Sequence, residues 1–208
     1  MITIIDYGVG NLASICNMLR KLRIESRVSS DPSEVARADK LILPGVGAFD
    51  EGMRQLEARG LRDALERRVM NDGVPVLGIC LGMQLLSRGS EEGSLEGLGW
   101  VPADTVRFDF SGLTLPKPLP VPHMGWNQTD LQGRATLFDH ANPSKFYFVH
   151  SYHLRCDDES MVAAQAEYGI RFTAAVEHEH VFGCQFHPEK SHRFGMELLR
   201  CFVEYRSC

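Results

Sequence analysis

The apolar run Val74 to Ile79 passes into the helical pattern Leu81 to Leu86 with only Cys80 between them. A strand that becomes a helix across one residue has to turn sharply. The residues around it, Gly78-Ile79-Cys80-Leu81-Gly82, have the small-x-nucleophile-x-small form of a nucleophile elbow. The turn crowds the backbone, so the neighbours two residues away must be small. It also aims the thiol at the start of the next helix, where the dipole and free N–H groups favour a thiolate and a developing oxyanion. The Leu81 N–H is the obvious oxyanion donor. The competing reading is a buried structural cysteine in a glycine-rich turn. The paired glycines at a strand end favour the nucleophile.

The rest of the first half repeats the pattern. Ile2 to Ile5 reads as a buried strand, and Leu12, Ile15, Cys16, Leu19 and Leu22 fall at helical spacing. Lys40 to Leu43 is a second strand, stopped by Pro44 and Gly45, and Phe49 to Met70 is helical with an interruption at Gly60. Such alternation predicts a parallel sheet covered by helices. The second half changes to short strand-like runs: Val101 to Phe110, Pro116 to Trp126, Lys145 to Leu154, Met161 to Glu167, Phe172 to Glu177 and Val181 to Phe186. Asn142-Pro143 and Tyr168-Gly169 mark turns, Pro116 to Pro122 a loop, and Met196 to Tyr205 a last helix. The expectation is one α/β domain over residues 1–208, with a central, mostly parallel sheet flanked by helices and mixed later strands.

Composition sets limits. A 208-residue chain with 44% hydrophobic and 24% charged residues suits one soluble core. Its net charge of −5 gives no pull toward nucleic acid or anionic membrane. No apolar run approaches the roughly 20 residues of a membrane span. The first residues, MITIIDYGVGN, do not fit a signal peptide. No two of the six cysteines form a CxxC pair, so a zinc ribbon is disfavoured and a cytoplasmic, reduced protein is the expectation. Cys16, Cys184 and Cys201 lie in regular patterns and are assigned to packing, while Cys156 and Cys208 carry no evident role.

A cysteine nucleophile needs a base, and the base an orienter. Gln185-Phe186-His187-Pro188-Glu189-Lys190 offers the best pair. Pro188 keeps His187 extended, and residues i and i+2 of an extended chain share a face. Glu189 can then hold one ring nitrogen of His187 and leave the other for the thiol. His178-Glu179-His180 and His150-Ser151-Tyr152-His153 could be called metal ligands. A solvated turn and a mixed strand are favoured instead, so no metal and no cofactor are expected.

GICLGMQLL (Gly78 to Leu86) with QFHPEKS (Gln185 to Ser191) resembles the class I, triad-type glutamine amidotransferases. More narrowly, DYGVGN (Asp6 to Asn11), LPGVGAF (Leu43 to Phe49), PHMGWN (Pro122 to Asn127) and YFVHSY (Tyr147 to Tyr152) resemble the glutaminase subunits of imidazole glycerol phosphate synthases of histidine biosynthesis. These motifs span essentially the whole chain. The resemblance implies Cys80 as nucleophile, His187 as base and Glu189 as orienter. It implies Gly45, Gly47, Gln84, Ser151 and Tyr152 around bound glutamine, with oxyanion donors from Leu81 and from Val46 and Gly47. It places Asn11, His123, Met124, Trp126, Tyr147 and Lys190 against a β/α-barrel cyclase in a heterodimer. In such pairs the glutaminase is weak until the cyclase holds its ligand, which makes Gly45-Val46-Gly47 a plausible gate.

Two other readings stand beside this one. SHRFGMELL (Ser191 to Leu199) also resembles a paralogous branch that supplies ammonia for acetamidino sugars of surface polysaccharides. Gly8-Val9-Gly10-Asn11-Leu12-Ala13, with Asp31 downstream, fits the form of a dinucleotide-binding fingerprint. That module would leave Cys80, His187 and Glu189 unexplained.

Overall fold

The computed structural model describes residues 1–114, 117–133, 135–138 and 144–206. The Asn142-Pro143 turn, Pro116 and Cys208 lie outside them. The first half runs β1 (Ile2–Ile5), α1 (Leu12–Lys21), β2 (Ser26–Ser29), α2 (Pro32–Val35), β3 (Lys40–Gly45), α3 (Phe49–Ala58), α4 (Leu61–Glu66), β4 (Val76–Cys80) and α5 (Leu81–Leu85). The second half is strand-rich: β5 (Ala103–Arg107), β6 (His123–Leu131), β7 (Ser144–His150), β8 (Tyr152–Cys156), β9 (Val162–Tyr168), β10 (Ile170–His178) and β11 (Val181–Cys184), closed by α6 (His192–Glu204).

These strands form one sheet in the order β2-β1-β3-β4-β11-β10-β9-β6-β7, with β8 joining β10 to β5. The pairs from β2 through β11 are parallel, and from β11 onward they are antiparallel. The parallel part is apolar on both faces because helices cover both. Successive side chains alternate between two cores. Ile2, Ile4, Ile42, Leu77 and Ile79 pack with Ile15 and Leu19 of α1 and Leu198 and Phe202 of α6. Ile5, Leu41, Leu43 and Val76 pack with Phe49, Met53 and Leu56 of α3 and Leu65 of α4.

Several boundaries differ from the sequence reading. β3 continues through Pro44 and Gly45, which lie opposite Ile79 and Cys80. β1 pairs with β3 only as far as Ile42, so part of the ladder is already absent where Pro44 offers no N–H. β6 begins only at His123, after the last proline of its approach. Lys145 to Leu154 is two strands rather than one, because the chain turns at Ser151 and moves from β6 to β10 and β5. α6 starts at His192, four residues before the expected Met196. Among the described residues, no helix is long and apolar enough to cross a membrane.

Candidate active site

Cys80 ends β4 with φ 54° and ψ −110°, a conformation that few residues other than glycine adopt. Such backbone costs on the order of 1–3 kcal/mol and concentrates at functional sites. The crowding expected of an elbow is visible in its glycines. A Cβ on Gly78 would sit 2.7 Å from the Gly82 carbonyl oxygen, and one on Gly82 would overlap the Leu43 carbonyl oxygen. The helix beyond is shorter than the sequence suggests. α5 has five residues, so its free N–H groups rather than a long dipole face the thiol.

β11 lies beside β4, and the chain leaving it brings His187 to the cysteine. His187 is extended, as Pro188 requires, but Pro188–Lys190 forms a 3₁₀ turn rather than extended chain. That turn brings Glu189 Oε1 to 2.8 Å from His187 Nδ1, with the two side chains 4% and 2% exposed. Ser191 clamps the turn: its hydroxyl donates to the His187 carbonyl at 2.6 Å and accepts the Tyr147 N–H at 3.0 Å. Burial pushes His187 down. Side-chain hydrogen bonds and charge interactions with Cys80 and Glu189 outweigh it and push it up to about 9.

Cys80 and His187 open into a cavity of about 490 Å³. One wall is Val46, Gly47 and Ala48, and the other runs from Val149 to Tyr152; Gln84, Glu92 and Lys190 complete it. Gly47 holds φ 106°. The loop leaves β3 beside β1, where the strand order reverses direction along the chain and α/β sheets place their ligands.

The model of the family "Glutamine amidotransferase class-I" matches residues 3–204. The chain belongs to the class I glutamine amidotransferases. It is 47% identical over 98% of its length, and 99% of the relative's, to "Imidazole glycerol phosphate synthase subunit HisH 2" of Methanococcus maripaludis. It is 49% identical, with the same coverage, to the protein of that name from Pseudomonas aeruginosa. Subunit HisH of Bdellovibrio bacteriovorus is 46% identical over 98% of this chain and 100% of that one. Two solved structures share the fold at low identity. A glutamine amidotransferase has TM-score 0.73 at 19% identity and covers 98% of both chains. PurLQS from Thermotoga maritima has TM-score 0.71 at 17% and covers 98% of this chain and 97% of that one.

Within this amidotransferase, Gln84, Ser151, Tyr152 and Gly47 line the cavity, as do Val46 and Leu81. Gly45 does not. It is buried as the last residue of β3 opposite Cys80, where a methyl group would strike the Tyr7 hydroxyl. Sequence reasoning missed Glu92, which lines the cavity while its Oε2 accepts the Phe49 N–H at 2.8 Å. Its acidic loop carries no motif, and only the fold brings it to the start of α3. Gln185 belongs to the QFHPEKS motif, which by itself assigns it no role.

The expected partner-facing residues divide. Met124 and Trp126 are 63% and 44% exposed. Trp126 stacks on His192 with ring centroids 5.5 Å apart and meets Tyr147 edge-on at 6.1 Å. Lys190 Nζ lies 5.9 Å from the centre of the Tyr147 ring, so this group continues to the cavity mouth. Asn11 is partly buried at the start of α1, with no side-chain cap bond. His123 is not on this surface. Side chains alternate along β6, so His123 points inward when Met124 points out, and it packs against Phe108, Phe148, Tyr168 and Phe172.

His150 and His153 lie on the mixed strands β7 and β8, where both are buried against Phe108 and Phe172. No group of His, Cys, Asp or Glu among the described residues is placed to hold a metal. Asp31, the acidic residue that a dinucleotide site would use, accepts the Ser33 N–H and caps α2.

Proposed function

We propose that this chain is the glutaminase subunit of an imidazole glycerol phosphate synthase, with Cys80, His187 and Glu189 as its triad. The observation that carries the reading is a thiol and an imidazole opening into one cavity, with a carboxylate bonded behind the ring, in a chain that matches HisH subunits end to end. The Cys80 thiolate attacks the carboxamide carbon of glutamine, and the carbonyl π electrons move to oxygen. Leu81 N–H and the Val46-Gly47 loop supply donors to that oxyanion. Collapse expels ammonia, which takes a proton from His187, and leaves a thioester. Water then attacks as His187 takes its proton, giving glutamate and the thiolate again. Glu189 holds Nδ1 throughout. Glu92 gives the cavity a carboxylate suited to the α-ammonium group of glutamine, and Ser151 and Tyr152 line the opposite wall.

Ammonia leaves to a β/α-barrel cyclase docked over Met124, Trp126, Tyr147 and Lys190. An exposed methionine and tryptophan beside a cavity mouth suit such a contact. The reaction belongs in the cytoplasm. A second reading, the paralogue that serves surface polysaccharides, keeps the same triad. One residue of the stretch that resembles that branch, His192, stacks on Trp126. The experiment is glutaminase kinetics alone, with each candidate cyclase, and with cyclase plus its ligand. The expected result is stimulation in kcat by the histidine-pathway cyclase, by roughly 10² to 10³ if the loop supplies a missing oxyanion donor. Stimulation only by the polysaccharide-pathway cyclase would select the second reading. Full activity in the isolated chain would remove the loop as a gate.

A further inference from the structure

Gln185 is completely buried and stands outside the triad. Its Nε2 lies 3.8 Å from Cys80 Sγ, and its Oε1 accepts from Gln84 Nε2 at 3.1 Å. An amide side chain has two orientations of nearly the same shape, and its neighbours decide between them. Here the decision comes from one backbone carbonyl. Gln84 Nε2 also lies 3.1 Å from the Tyr152 carbonyl oxygen, which can only accept. Gln84 therefore presents its NH₂ group there, and the same group reaches Gln185 Oε1. Gln185 must then turn its own NH₂ toward the sulfur. Reversed, it would set two NH₂ groups against each other and aim an oxygen at the nucleophile.

The same carbonyl orders a second branch. His150 Nδ1 lies 2.8 Å from it and must carry a proton to bond. His150 Nε2 is then the acceptor for His123 Nδ1–H at 3.0 Å. His123 Nε2 in turn accepts from Asn127 Nδ2 at 3.4 Å. The Tyr152 carbonyl is thus held by two donors, and the branch from Gln84 to the sulfur starts from a fixed point.

We propose that Gln185 is a catalytic hydrogen-bond donor to the nucleophile, aimed at Cys80 Sγ by Gln84 and the Tyr152 carbonyl. This rests on the reading of Cys80 as nucleophile. An N–H donor stabilises a thiolate more than a thiol, whose sulfur accepts weakly. It therefore favours sulfur both as the attacking group and as the group that leaves when water opens the thioester. The other ionisable groups near the sulfur are His187, Tyr7 and Cys184. Glu189 stands behind His187, with Glu92 and Lys190 across the cavity. Burial pushes the Tyr7 hydroxyl and the Cys184 thiol up, so both stay neutral beside the sulfur.

The test is Gln185→Met, which keeps the length of the side chain and removes the donor. The pH dependence of Cys80 alkylation by iodoacetamide is followed by mass spectrometry of its peptide. Loss of one charge-assisted bond should raise the alkylation midpoint by about one pH unit and lower kcat about tenfold. KM for glutamine should stay within about twofold, because the donor meets sulfur rather than substrate. Gln84→Leu should shift the midpoint the same way, by less. An unmoved midpoint overturns the proposal whatever happens to kcat, since disturbed packing alone lowers activity without moving the thiol's titration. If Gln185→Met does not fold, the unmodified ¹⁵N-labelled chain decides. The Gln185 side-chain NH₂ resonances should titrate with Cys80 and stop doing so in Cys80→Ala; resonances indifferent to Cys80 overturn it. Glutamine hydrolysis retained in Cys80→Ala would instead remove the nucleophile assignment, a result that the alkylation titration does not mimic.

Discussion

His187 and His123 are buried to nearly the same degree, 3% and 4% exposed, yet their surroundings push them in opposite directions. Burial pushes His123 down to about 4 and its neighbour His150 down to about 3. His187 is pushed up to about 9 because its bonds to Cys80 and Glu189 outweigh the same desolvation. Depth alone therefore does not set the charge of a buried imidazole. The partners at its two nitrogens do. Between a thiol and a carboxylate the ring is held in its protonated form. Between an imidazole and an amide, surrounded by phenylalanines, it is a neutral structural link.

The largest effects should come from breaking the His187 arrangement at its reacting end. Cys80→Ala should abolish glutamine hydrolysis while the partner still works on added ammonia. It should also lower the His187 midpoint, read by NMR titration, because one of its two supports is gone. A midpoint unaffected by Cys80→Ala would mean that the thiol has no part in the contrast.

Next in size is loss of the histidines themselves. His187→Asn should lower kcat by about 10² to 10⁴, the usual share of a general acid–base group. His123→Phe should fit its aromatic surroundings and cost less than about tenfold in kcat. It should still lower stability by about 1–3 kcal/mol, because His150 Nε2 loses its donor. Equal losses of kcat in the two variants would erase the distinction between carrier and link.

Glu189→Gln should retain more activity than His187→Asn, since the imidazole remains and only its orientation and charge support weaken. The His187 midpoint should fall here as well. The reverse order of activities would show that Glu189 does more than orient.

The smallest effects are on stability, and they have opposite signs. The folded values of His123 and His150 lie below the ordinary 6.5, so between pH 6.5 and about 3 the unfolded chain binds more protons. Their contribution is steady above pH 6.5 and is lost as pH falls through that window. The folded value of His187 lies above 6.5, so its contribution is full below pH 6.5 and is lost as pH rises toward about 9. Urea midpoints across pH should therefore fall on both sides. His123→Phe should flatten the acid limb, and His187→Asn the alkaline limb. A wild-type acid limb unchanged by His123→Phe would contradict a neutral buried pair.

Much of the parallel half was legible because its signals are local. Short apolar runs gave β1, β3 and β4, though β3 runs on through the Pro44 and Gly45 expected to stop it, and helical spacing gave α1 and the broken helix at Gly60. The antiparallel half was less legible. Lys145 to Leu154 is a continuous strand-like run, and only its partners divide it at Ser151. The phase of β6 was equally hidden. Alternation says that His123 and Met124 face opposite ways, but which face is inward depends on Phe108, Phe148, Tyr168 and Phe172.

What the sequence determined by itself were the features whose physics closes over a few residues. A strand meeting a helix at Cys80 needs small flanking residues, and Gly78 and Gly82 leave no room for a Cβ. His187 next to Pro188 must be extended, and Glu189 is close enough in the chain to reach its ring. The tertiary structure decided everything that depends on groups distant in the chain meeting. It carried Glu92 to the cavity, turned His123 inward, and set Gln185 against Cys80 through Gln84 and the Tyr152 carbonyl. The direction of a hydrogen bond depends on which donor and acceptor are brought together. No pattern along the chain records that until the sheet has placed β4, β8 and the segment after β11 side by side.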